Sequence, residues 1–279
     1  MRLARIPRRG QIVTIALLAS LACLGVASSS SANEHHPTGS YVPFVDCPLS
    51  DLSVEECFVD RAEGGEFVVG HDVVPVDSPL TLQGGYIEGE EGELTFVGAE
   101  DGDTLSKSVL SLPGGLAGVF GGAAGVTMTP ELAQPASTIK LNIGNLLESK
   151  GVAVQLPLKL KLSNPFLGGE CYLGSSADPI VLNFTVGATD PPPPNKSMRG
   201  ALGGITFLKG GSMLVMRGTS LVDNAFAVPR AAGCGGGFSA VVDPAIDAEF
   251  GLPSPAGRNT AILNATIEQG AAVAVSRSE

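Results

Sequence analysis

Histidine is the side chain most often recruited to move protons near neutral pH, and this chain has three, His35, His36 and His71. The first two fall in a polar stretch near the N-terminus, and His71 sits in a strand-like segment. Serine hydrolysis needs such a base held against a nucleophile. No G-x-S-x-G elbow is present for His71 to serve, and Gly218-Thr219-Ser220-Leu221-Val222 lacks the closing glycine. Ser137-Thr138-Ile139-Lys140 matches the S-x-x-K pattern of penicillin-recognising enzymes, whose chemistry needs both side chains on one helical face. The alternation here predicts a strand, which sends Ser137 and Lys140 to opposite faces, and no K-T-G accompanies them. H-E-x-x-H is absent, which removes the common zinc peptidase pattern.

Carboxylates offer the remaining chemistry. Glu100, Asp101 and Asp103 place hard oxygen ligands around the turn residue Gly102, a candidate calcium site. The spacing matches neither the EF-hand loop nor the G-G-x-G-x-D repeat. Paired acids for glycoside cleavage meet only in space. Yet sugar clefts usually offer aromatic platforms, and Tyr41, Tyr86 and Tyr172 are the only tyrosines in a chain without tryptophan. The expectation is therefore a non-catalytic protein. The alternatives are a carboxylate-dependent hydrolase and a calcium-stabilised surface module.

The elements that would carry these residues read as strands. Val152, Val154, Leu156, Leu158, Leu160 and Leu162 share one face of an extended run, with Gln155, Lys159 and Lys161 on the other. A helix would scatter those leucines around its circumference. Pro157, in mid-run, cannot donate a ladder hydrogen bond and predicts a sheet edge or a bulge. Ile139, Leu141 and Ile143 repeat the pattern, as do Ile180, Leu182, Phe184 and Val186, and then Ala261, Leu263, Ala265 and Ile267. Turn signals fall at Gln83-Gly84-Gly85, Pro113-Gly114-Gly115, Asn164-Pro165 and Gly210-Gly211. Many short strands so spaced predict a mainly β fold, an antiparallel sandwich or open barrel. Short helical turns are expected at Asn145–Ser149 and Pro244–Phe250.

The N-terminus reads as an export signal. Arg2, Arg5, Arg8 and Arg9 precede an uncharged, mostly apolar run from Ile12 to Ala27, followed by small residues ending at Ala32. Sixteen residues fall short of the roughly 20 needed to span a bilayer. The Arg8-Arg9 pair lacks a twin-arginine context, and Ser20-Leu21 before Cys23 does not suit lipidation. Residues 1–32 are thus expected to be cleaved. That leaves a flexible lead-in at 33–45 and a single β-rich domain at 46–279, with a stiff Pro-rich loop at 190–195. The product is expected to be secreted, without membrane insertion after cleavage. Four cysteines stay with it, Cys47, Cys57, Cys171 and Cys234, and an even number in an oxidising compartment predicts two disulfides. Of three pairings, Cys47–Cys57 with Cys171–Cys234 needs the least rearrangement.

Charge is unevenly spread. Residues 33–106 hold 17 acids and one base, a balance of −16, whereas residues 107–279 hold 11 acids and 12 bases. Such a surface repels phosphate and argues against nucleic acid. It suits a basic partner or, more plainly, a solvated acidic face. With export, this makes a cell-envelope component or a basic protein the expected partner.

The stretches TLQGG (81–85), VGAEDGDTLSKSVLSLPGGL (97–116), CYLGSS (171–176) and GLPSPAGRNTAILN (251–264) resemble a group of uncharacterised secreted proteins of actinobacteria, over roughly Phe44 to Glu268. The resemblance implies secretion and a shared single-domain fold. It brings no catalytic residues. In that group a longer, cysteine-containing insert follows the Pro113-Gly-Gly turn, where this chain runs directly through Leu116–Val126.

Overall fold

The computed structural model describes residues 36–89, 94–114 and 125–278. Residues 1–35, which hold the stretch expected to be an export signal and the start of the lead-in, Glu90, Glu91 and Glu93, and most of Leu116–Val126 lie outside the described residues. Among the described residues fourteen strands are formed: β1 (Glu56–Val69), β2 (Asp72–Pro75), β3 (Leu80–Glu88), β4 (Leu94–Gly98), β5 (Leu110–Leu112), β6 (Val126–Leu132), β7 (Lys140–Leu141), β8 (Val154–Ser163), β9 (Tyr172–Leu173), β10 (Ile180–Phe184), β11 (Gly204–Leu208), β12 (Met213–Asp223), β13 (Ala231–Ala232) and β14 (Thr260–Ala271). Among the described residues three short helices join them, α1 (Ile143–Glu148), α2 (Ser239–Phe250) and α3 (Ala272–Ser276).

The strands form two antiparallel sheets. The first runs β11-β12-β14-β1-β3-β4, with β2 also on β1. The second runs β13-β9-β8-β6-β5, with β10 and β7 on β8. Their inner faces close on one large apolar core, in which Phe58 and Phe96 meet edge-on. Bridges from Thr185 to Val222 and from Ala201 to Ser220 lace the segment after β10 onto β12. From residue 35 onward the chain is one compact unit. The fold is mainly β and antiparallel, as the alternation implies, and of the sandwich and the open barrel left open by the sequence it takes a two-sheet form.

β8 shows why. Its even residues from Val154 to Leu162 are buried, while Gln155, Lys159 and Lys161 are half-buried. The strand starts two residues later than the alternation suggests, so Val152 is exposed. The edge expected from Pro157 is corrected: β8 is the central strand of its sheet. The Pro157 carbonyl accepts from Ala133 N, so its missing N–H faces the gap where β6 ends and β7 has yet to begin, and no ladder bond is lost there. The runs in β10 and β14 alternate as expected.

Four further expectations change. Gly84 and Gly85 are not a turn; they lie inside β3. A Cβ on Gly84 would sit 2.3 Å from the Val97 carbonyl oxygen, and one on Gly85 would sit 2.6 Å from the Val54 side chain. Close approach of neighbouring chain explains the pair, since a turn and a tight strand both select glycine. The 139–143 run contributes only the two residues of β7, flanked by a 3-10 turn at Ala136–Thr138 and by α1. The Asn142 side chain accepts from Asn145 N and so starts α1 at the expense of the strand. The second helical turn extends back to Ser239. Finally, the lead-in is not loose up to residue 45: Gly39–Phe44 forms a 3-10 turn with Tyr41 and Phe44 buried. These two rings cover the outer face of the first sheet, over Cys57 and Val59 of β1 and Met213 and Val215 of β12, together with Val275 of α3.

Both bridges form in the favoured pairing, Cys47–Cys57 and Cys171–Cys234. They join residues 10 and 63 apart in sequence, worth about 3 and about 4 kcal/mol on a loop-closure argument. The longer one spans the Pro-rich loop and ties both of its flanks together.

Candidate functional site

Because the lead-in covers one face of the start of β1 and the second sheet covers the other, the first part of this strand is buried on both sides. Cys57, Phe58, Val59 and Asp60 are consecutive buried residues. Phe58, Asp60 and Ala62 point inward. Across the ladder Asp60 stands opposite Leu82 of β3 and Ile267 of β14. A carboxylic acid thus occupies a core position, with the residue 6% exposed. Its Oδ1 has no hydrogen-bond partner among the described residues.

Asp60 borders a cavity of about 30 Å³ between the two sheets. The walls are apolar from every side: Leu82 of β3, Leu105, Pro130 of β6, Leu156 of β8, Leu182 of β10 and Leu263 of β14. A volume above roughly 10–15 Å³ admits a water molecule. Burial pushes the carboxyl up to about 7, with no neighbouring charge to offset it. The group can therefore hold a proton near neutrality. Among the described residues no second acid lines this cavity, whereas glycoside cleavage works with two.

The acids offered for calcium lie elsewhere and are otherwise engaged. Asp101 Oδ1 accepts from Asp103 N at 2.8 Å, and the Asp103 carboxylate pairs with Lys107 at 2.6 Å. Glu100 Oε2 accepts from Ser50 N at 3.4 Å. Asp46, which the sequence reading passed over, comes close to this loop. Its carboxyl accepts from Gln83 Nε2 at 3.1 Å and is raised by burial and then by Asp101. Among the described residues no group of three or more His, Cys, Asp or Glu is gathered to hold a metal ion. Other acids of the β1–β4 region, such as Glu55, Glu63, Asp77 and Glu88, are exposed and dispersed away from the cavity.

The nucleophile–base pairings do not assemble either. His71 occupies the hairpin turn between β1 and β2 rather than a strand, and its N–H donates to the Phe250 carbonyl. The imidazole lies against Gly251. Asp72 beside it is raised by burial and by Glu249, and lowered by His71. Ser137 and Lys140 are both exposed, the first in a 3-10 turn. The continuous strand expected to carry them is not formed, since only Lys140–Leu141 of this segment is extended.

One surface feature was missed from sequence. β11 ends its sheet and pairs only with β12 among the described residues. Ile205 and Phe207 project from the same side of it and are 41% and 68% exposed. The signal was present as an apolar Ile-Thr-Phe-Leu run beside a Gly-Gly turn. Its exposure depends on where the second sheet stops. The chain matches no protein family, no curated protein and no solved structure.

Proposed function

We propose that this chain is an exported β-sandwich that works by binding, not catalysis, and that the free edge of β11 is its contact with a component of the cell envelope. The observation that carries the reading is that edge. A strand with one side unpaired presents a row of backbone donors and acceptors, and Ile205 and Phe207 supply side chains for alternate pockets on an added strand. Natural edges are usually blunted by charge, proline or a bulge. β11 carries none of these over Gly204–Leu208.

Export is supported by the basic, apolar and small-residue order of the N-terminus and by the resemblance to secreted proteins. The two disulfides point to a non-cytoplasmic compartment. No helix among the described residues is long and apolar enough to cross a membrane. The test is retention of the purified protein on cell-wall, membrane and culture-supernatant fractions at low salt. Retention on an envelope fraction, reduced about tenfold or more by the pair Ile205→Ser and Phe207→Ser, is the expected result. No retention on any envelope fraction would overturn the proposal.

A further inference from the structure

We propose that Asp60 ties closure of the sandwich to pH: protonated, it lets the two sheets pack shut over an apolar seam, and ionised, it loosens that seam by drawing water between them. The argument rests first on position. Asp60 sits in the middle of β1, the strand held between β14 and β3, and it faces the second sheet across the cavity. A charge there is set between the two sheets and against apolar side chains.

Among the described residues that line the cavity, no other group can absorb the charge. β3, β6, β8, β10 and β14 all present aliphatic or aromatic side chains or proline to the cavity, and so do the segment at Leu105 and the far end of β1. None of these is titratable or cationic. Arg61, the next residue, points to the opposite face, where it bonds Glu63 at 3.0 Å. The Oδ1 atom has no protein partner among the described residues. An ionised carboxylate without a cation or hydrogen-bond donors is strongly disfavoured in such surroundings. The two ways to relieve it are to keep the proton or to admit solvent. The cavity has room for one or two waters to begin the second route.

The sign follows from the raised carboxyl. Below about pH 4 an aspartate is protonated in both the folded and the unfolded chain. Between there and about 7 the folded chain holds a proton that the unfolded chain has released. The contribution to stability is therefore full at acid pH, falls as pH rises, and levels off above about 7. Over that window the unfolding constant rises on the order of a thousandfold from this group alone.

The experiment uses the mature protein with both disulfides intact. Carboxyl carbon resonances of aspartate followed from pH 3 to 9 report Asp60 directly, assigned by its loss in Asp60→Asn. Urea unfolding of both proteins is measured at pH 4, 6 and 8 in parallel. Expected are an Asp60 midpoint near neutrality and a difference between the two proteins that grows at least a hundredfold in unfolding constant from pH 4 to pH 8. An Asp60 midpoint in the ordinary range near 4, or an unchanged difference across the three pH values, would overturn the proposal. Should Asp60→Asn fail to fold, the wild-type titration decides by itself, assigned through backbone connectivity.

Discussion

Two buried polar regions of this molecule are built on opposite terms. At one end, where β12, α2 and the start of β14 meet, Asn259 is fully buried and every side-chain polar atom is engaged. Its Oδ1 accepts from Gly70 N at 2.9 Å, and its Nδ2 donates to the carbonyls of Phe226 at 2.9 Å and of Ser254 and Pro255 at 3.3 Å. Nearby Asp247 accepts from Ala231 N at 2.8 Å and pairs with Arg230 at 3.0 Å. In the middle of the sandwich, Asp60 has apolar neighbours and an orphan oxygen. The first region uses polar side chains to satisfy loop backbone that no sheet ladder reaches. The second holds an acid where no backbone needs it. A polar group that ties loops together explains itself structurally; Asp60 does not.

That contrast can be broken in order of effect. Asn259→Ala strips one acceptor and the one two-proton amide donor from buried backbone and is expected to cost about 4–5 kcal/mol in urea unfolding. A loss under about 1 kcal/mol would show that the loops find other partners. Asp60→Asn acts in the opposite direction. A carboxyl held near 7 against an ordinary value near 4 stands for about 4 kcal/mol. The variant is therefore expected to be more stable than wild type at pH 8, by about 3 kcal/mol, and nearly equal to it at pH 4. Asp247→Asn keeps an acceptor for Ala231 N but gives up the charge facing Arg230. An expected loss of about 1–2 kcal/mol at pH 7, read from the same unfolding curves, sets it below the other two. The smallest effect is expected of the exposed acids. A chelator should leave the calorimetric melting temperature unchanged, and a fall of several degrees would restore a calcium-stabilised module built on Glu100, Asp101 and Asp103.

Much of the architecture was legible along the chain. β8, β10 and β14 show it best: each alternates over at least five residues, and one buried face per strand leaves a period of two in the sequence. β1 was not legible in this way. With Phe58 and Asp60 facing the second sheet and Cys57 and Val59 under Tyr41 and Phe44, both parities are buried. The run Cys57-Phe58-Val59-Asp60 therefore carries no periodic signal to set the acid apart. Gly84-Gly85 misled for a related reason. Glycine marks a turn through backbone freedom and a tight strand through lack of bulk, and only the neighbour at Val97 tells the two apart.

Residue order alone determined the mainly β, antiparallel character, the four cysteines available for bridging and the crowding of acids into residues 33–106, because each depends on local side-chain chemistry. Tertiary structure decided what no local pattern encodes: that the lead-in docks on the first sheet, that β11 is left at an open edge, and that Asp60 ends up inside. Solvation of a group depends on what packs over it, and the strands that close over Asp60 come from far apart in the chain.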